Sequence, residues 1–184
     1  MVCQEPSASR RLCLARRLAA CQRAAMSPPQ TEFGDGVSFG HHGDVLIWVW
    51  EKDGTSARQD WISQRALPVA SAAGNIMALN IILPSSNPPD AGGRDASSAF
   101  AKALGPSLRW AVTVAPGDSF RLNIVRTVLR LVVMLGGQGG KHTVHSTVAE
   151  GIEKLHAHAR TQTPTAAEME ALANRLMQFP AAPR

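Results

Sequence analysis

Three short runs constrain this chain more than anything else in it: VLIWVW (Val45–Trp50), IMALNIIL (Ile76–Leu83) and RWAVTVAP (Arg109–Pro116). Each is apolar at successive positions, whereas strand side chains alternate between the two faces of a sheet. Strands of this kind belong in the middle of a sheet that is covered on both faces. The segments between them carry apolar residues at helical spacing, and such alternation implies a largely parallel sheet with right-handed crossovers. Ahead of the first run, Val37–Phe39 reads as a short strand and His42, Gly43 and Asp44 as a turn, so the sheet opens with an antiparallel hairpin. The predicted order is β-β-α-β-α-β-α-β-α. It describes an α/β domain with a mixed, mostly parallel sheet of about five strands and helices packed on it.

The helices have their own signals. Between the first two runs, Ser56 with Gln59 fits a capping box, and Trp61, Ile62, Ala66, Val69, Ala70 and Ala73 recur at helical spacing. Pro68 is expected to bend or interrupt that helix, and Gly74-Asn75 to stop it. PSSNPPDAGG (84–93) reads as a loop and RDASSAFAKALG (94–105) as a short helix. The strongest periodicity falls on residues 120–135, where Phe120, Ile124, Val128, Leu131, Val132 and Leu135 share a face. GGQGG ends it, HTVHS supplies another strand, and Thr147 with Glu150 caps a helix from Val148. A last helix, Ala166–Gln178, opens with Thr165 and Glu168 as a second capping box. Its Met169, Leu172, Leu176 and Phe179 predict packing back on the domain.

Charge is unevenly placed. The formal net charge of the 184 residues is +5, yet residues 1–25 hold Arg10, Arg11, Arg16, Arg17 and Arg23 against Glu5 alone, which leaves the rest near neutrality. The body therefore offers no electrostatic case for nucleic acid. Cys3, Cys13 and Cys21 lie in the same tail, so the body uses neither disulfide nor thiolate–metal chemistry, which fits a cytoplasmic protein. The tail is compatible with a targeting peptide or a basic surface helix, and equally with a disordered extension or an upstream mis-start before Met26. The expected division is a basic tail at 1–30, an α/β domain at 31–160, and a C-terminal helix and tail at 161–184. No run of apolar residues is long enough to span a membrane.

Four of six histidines fall in KHTVHSTVAEGIEKLHAHAR (141–160). A metal site needs ligands that converge. His142 and His145, three apart on a strand, point to opposite faces. His156 and His158 diverge by about 200° on a helix. The histidines are therefore read as parts of a strand and a helix, with no metal. GGQGGKHT resembles a phosphate loop, but Leu135 and His142 stand where the pattern needs Gly and Ser or Thr. It also closes a helix and opens a strand, the reverse of the context that holds phosphate. No G-x-S-x-G elbow occurs and no triad can be assembled, so no catalytic set and no cofactor site is assigned.

The loop after Leu83 lies where α/β sheets bind ligands or partners, beyond the carboxyl ends of the strands. Ser85, Ser86, Asp95, Ser97 and Ser98 are its candidate contact residues. Four tryptophans, Trp48, Trp50, Trp61 and Trp110, fall within predicted elements and are read as core or groove lining. The apolar side of the 120–135 helix is broad, since Val125, Leu129 and Val133 flank its main face. Arg121, Val125, Arg126 and Leu129 are accordingly a candidate interface, with a homodimer as one possible product.

The segments VLIWVWEKDG, ALNIILPSSN, WAVTVAPGDSFRLNIVRTVLR and HTVHSTVAEGIEKL, in this order, resemble the STAS-like fold. That is the fold of bacterial anti-sigma-factor antagonists and related lipid-binding-type domains, and the resemblance covers residues 33–160. The closing helix is similar to a T-x-x-E-A-x-x-x-L pattern, reading here Thr147, Glu150, Gly151 and Leu155 with glycine in place of the alanine. In the antagonists a phosphorylatable serine sits in a D-S-S-G loop at a helix start. The nearest match is DASSA, with Asp95, Ser97 and Ser98, but Ala99 replaces the glycine and a proline-rich insertion precedes it. The resemblance implies a non-catalytic, regulatory, protein-interaction module of bacterial type. The alternative expectation is a domain that binds a small apolar ligand or lipid in a groove near residues 84–98.

Overall fold

The computed structural model describes residues 28–117, 140–160 and 163–180. Residues 1–25 and the predicted 120–135 helix, with Arg121, Val125, Arg126 and Leu129, lie outside the described residues. Those described form a six-stranded sheet: β1 (Gln30–Gly34), β2 (Val37–His42), β3 (Val45–Trp50), β4 (Ile76–Ile82), β5 (Leu108–Val114) and β6 (His142–His145). Strand order in the sheet follows chain order. The first three strands pair antiparallel and β3 to β6 pair parallel. Among the described residues four α-helices pack on it: α1 (Ser56–Ala73), α2 (Ala91–Leu104), α3 (Val148–His156) and α4 (Ala166–Met177).

The expected α/β architecture is present, with one strand more than predicted. β1 is mostly exposed and has no apolar alternation, so it gives little sequence signal. It exists because Asp35-Gly36 makes a two-residue turn, with Gly36 at φ 69°, that returns the chain onto β2. β2 also runs further than predicted. His42 is its last residue, and the turn is Gly43-Asp44 alone.

The doubly apolar strands do what their pattern requires. On β3, Val45, Ile47 and Val49 face the core shared with α3 and α4, while Leu46, Trp48 and Trp50 face the core shared with α1 and α2. On β4, Met77, Leu79 and Ile81 join the first core, and Ile76 and Ala78 the second. Burying a side chain of this class contributes roughly 1.5–3 kcal/mol, so these central strands anchor the domain. α4 is part of the core, as its spacing predicts. Met169, Leu172, Ala173 and Leu176 are buried, and Ser38 on β2 donates to the Leu176 carbonyl at 2.8 Å.

Two local expectations need correction. α1 is capped by Thr55, whose side chain accepts from the Arg58 amide, and not by a Ser56–Gln59 box. Gln59 is instead buried, where its Oε1 accepts from Ser97. Pro68 does not break α1, which continues to Ala73. Pro68 and Gln64 are both exposed, so the amide that proline removes is lost on the outer side of the helix. The Thr165–Glu168 capping box forms as predicted, and Thr147 caps α3. The carboxyl ends of β3 and β4 thus lead into the N-termini of α1 and α2 at one rim of the sheet, and β6 leads there into α3. The β2–β3 turn and the α3–α4 connection lie at the opposite end.

Candidate functional site

The predicted loop does sit on the carboxyl rim, but its hydroxyls are engaged within it. Ser85 Oγ donates to the Glu51 carbonyl at 2.8 Å, and Ser86 Oγ to the Lys52 carbonyl at 3.0 Å. Asn87 donates to Asp53 Oδ1 from its side chain at 2.9 Å, and this bond, with that of the Asn87 amide, holds the Asp53 carboxyl below its usual range. Ser97 Oγ donates to Gln59 Oε1 at 2.9 Å, and Ser98 Oγ to the Arg94 carbonyl one turn back. Asp95 is exposed. The capping carboxylate of α2 is Asp90, whose Oδ1 accepts from the Gly93 amide at 2.6 Å. Gly93 lies so close to the Gly54 carbonyl that a methyl group there would stand 1.7 Å from the oxygen. The loop after β3 and the loop after β4 are therefore braced into one piece. Beside them, Lys52 and Arg58 bind Asp35, and those hydrogen bonds lower its pKa.

A polar chain crosses the sheet beneath this rim. Trp50 Nε1 donates to Asn80 Oδ1 at 3.0 Å, Asn80 Nδ2 donates to Thr113 Oγ1 at 3.3 Å, and Thr113 Oγ1 lies 2.9 Å from His142 Nε2. Indole nitrogen is a donor only, which fixes the direction of the first two bonds. The Thr113 hydroxyl keeps its hydrogen and is able to donate it to a neutral His142. Burial, which lowers the pKa of His142, favours the same neutral state.

Two of the other histidines have ring contacts. His145 Nε2 lies 3.1 Å from Thr143 Oγ1, and His158, just past the end of α3, stacks on Trp110 with ring centroids 3.7 Å apart. Among the described residues, no three His, Cys, Asp or Glu side chains gather as a metal-ligand set, and no helix is long and apolar enough to cross a membrane. The tryptophans divide: Trp48 and Trp50 are buried, while Trp61 carries the Arg65 guanidinium over its ring at 3.7 Å.

Sequence reasoning missed the opposite end of the sheet. There Asp44, 5% exposed, accepts from Arg109 Nη2 at 2.8 Å and from Thr163 Oγ1 at 3.0 Å. Thr163 Oγ1 in turn accepts from the Arg160 amide at 2.8 Å. This buried node ties the starts of β3 and β5 to the α3–α4 connection. Next to it a cavity of about 440 Å³ opens between His42, Thr163 and one face of α4. Its only advance signal is an arginine near the start of a mostly apolar strand. Compared with models of known protein families and with curated proteins, the chain matches none.

Proposed function

We propose that this chain is a non-catalytic, STAS-like interaction module that works by protein contact through its carboxyl rim, as a regulatory component in the cytoplasm. One observation carries the reading. The rim hydroxyls, the groups there best suited to chemistry, are used as braces to neighbouring carbonyls. Braced loops form a surface with little ordering entropy left to lose on binding, which favours recognition by contact. The absence of cysteine from residues 28–180 fits a reducing compartment.

Photo-crosslinking tests the reading. A benzophenone side chain in place of Asp95, on the rim, is compared with one in place of the exposed Glu153 on α3, in extract of the source cells. The expected result is one discrete protein adduct from position 95, weakened by the double change Ser85→Ala, Ser86→Ala. Equal labelling from both positions, or none from position 95, overturns it. A second reading, a small-ligand domain, is favoured by the cavity beside α4, which lies at the opposite end of the sheet from the groove expected near residues 84–98.

A further inference from the structure

β1 forms one edge of the sheet, and its outer side pairs with nothing among the described residues. The direction of its main-chain groups follows from its neighbours. The Gly36 carbonyl accepts from the Glu51 amide at 3.0 Å, so alternation along β2 turns Ser38, Gly40 and His42 towards β3 and Val37, Phe39 and His41 towards β1. Their partners Gly34, Glu32 and Gln30 are therefore the bonded residues of β1. The amides and carbonyls of Thr31 and Phe33 point away from the sheet. Open edges of this kind are usually blunted by lysine, proline or a bulge. β1 has neither lysine nor proline, and its register with β2 runs unbroken.

Side chains flank the edge on both faces of the sheet. On the α4 side Phe33, the one exposed large apolar side chain among the described residues, meets Phe179 edge-on with ring centroids 6.1 Å apart. On the α1 side Glu32 Oε2 accepts from Arg65 Nε at 2.8 Å, and the Arg65 guanidinium lies over Trp61. Glu32 Oε1 and Arg65 Nη2 make no hydrogen bond among the described residues. We infer that β1 is a dimer interface, pairing antiparallel with β1 of a second copy about a two-fold axis at Glu32. In that register Thr31 of each copy stands opposite Phe33 of the other, and each pair exchanges both of its outward N–H···O bonds. The two Glu32 side chains then meet at the axis with Cβ atoms about 4.5–5.5 Å apart, where like charges alone would repel. The two Arg65 flank them, and each offers its free Nη2 to Oε1 of the other copy. A second copy supplies this charge match, two carboxylates between two guanidiniums, and an unrelated strand would not. The edge of 5 residues is small for a stable interface, so Phe33, Phe179 and Trp61 have to add apolar contact. The inference is independent of the rim and of the 120–135 helix.

Sedimentation of the full chain from micromolar to millimolar concentration is the test, with amide hydrogen exchange as its local readout. A concentration-dependent dimer is expected, in which exchange at Thr31 and Phe33 slows as the dimer fills. Thr31→Pro removes an outward amide and leaves the bonds to β2 intact, so it should weaken the dimer at least about tenfold while the monomer stays folded. Arg65→Glu should weaken it too, and the charge swap Glu32→Arg with Arg65→Glu should restore it. If Thr31→Pro prevents folding, the charge swap and the exchange rates decide. The inference is overturned by a chain that stays monomeric at millimolar concentration. It is also overturned by a dimer that survives Thr31→Pro unchanged, by one whose Thr31 and Phe33 amides exchange as in the monomer, or by a charge swap that fails to restore it.

Discussion

Gly93→Ala tests whether the rim is a braced unit. A methyl group at this position would stand 1.7 Å from the Gly54 carbonyl oxygen, 2.8 Å from its carbon and 3.1 Å from Asp90 Oδ1. A carbon–oxygen contact needs about 3.3 Å, so the two loops must part by roughly 1.6 Å. Both obstructing groups of Gly54 are main chain and cannot rotate away. Parting them strains the Asp90 cap, whose loss costs about 0.5–2 kcal/mol, and overpacking of this kind costs about 1–3 kcal/mol. The better helix propensity of alanine returns at most about 1 kcal/mol. The net expectation is a loss of about 2–3 kcal/mol, or roughly 5–10 °C in melting temperature for a chain of this size. Gly92→Ala is the control. Its methyl would meet nothing closer than 3.7 Å, so the propensity gain should leave the protein unchanged or slightly more stable. Urea unfolding followed by tryptophan fluorescence measures both. Equal midpoints for the two variants, or Gly93→Ala within about 0.5 kcal/mol of the parent, would show that the rim yields freely and is not braced as described.

The other predictions use the same measurement. Gly151→Ala puts a methyl 2.6 Å from Val114 Cγ2 and 3.2 Å from Val112 Cγ1, so it should cost about 1–3 kcal/mol, and Val114→Ala should rescue part of that in the double variant. Asp44→Ala leaves the Arg109 guanidinium, 12% exposed, without its carboxylate and should cost about 3–5 kcal/mol; an effect below 1 kcal/mol would mean the pair is hydrated in solution. Burial lowers the pKa of His142 and of His41 from the usual 6.5, so the unfolded chain binds protons that the folded chain does not. Stability should be full above about pH 6.5 and decline as pH falls through that value, and His142→Gln should flatten part of the decline. The carboxylates of Asp35, Asp53 and Glu150 are lowered by their hydrogen bonds, so their contribution is lost only in the more acid range below their usual values of 3.8 to 4.5.

The strands were legible where burial imposed a pattern. β3 and β4 need apolar residues on both faces because helices cover both, and this requirement is visible one residue at a time. β1 has no such requirement. It is held by main-chain pairing to β2 and by a turn, so its only trace is the dipeptide Asp35-Gly36. The cap of α1 was displaced by one residue because Thr55 and Ser56 are both competent caps, and the choice between them depends on where the chain leaves β3. Pro68 misled for a related reason: its cost depends on which side of the helix loses the amide, which a sequence does not say.

The sites were less legible because they are made by distance in sequence. Ser85 and Ser86 lie on the carboxyl rim, but their partners are carbonyls of Glu51 and Lys52, and no side-chain pattern marks a carbonyl as an acceptor. At the other end, Asp44 lies 65 residues from Arg109 and 119 from Thr163. Taken singly, the first is a turn residue and the second begins a strand. A buried pair of this kind is poor support for stability, since apolar replacements of similar shape often do as well or better. What it supplies is position. Thr163 is fixed by Asp44 on one side and by the Arg160 amide on the other, two residues before the Thr165 cap that orients Glu168. The node therefore sets where α4 starts, and with it the 4.0 Å gap between Glu168 and His42. That links a buried charge pair of little net stabilising value to the geometry of the cavity, and it gives a reason for such a pair at this end of the sheet.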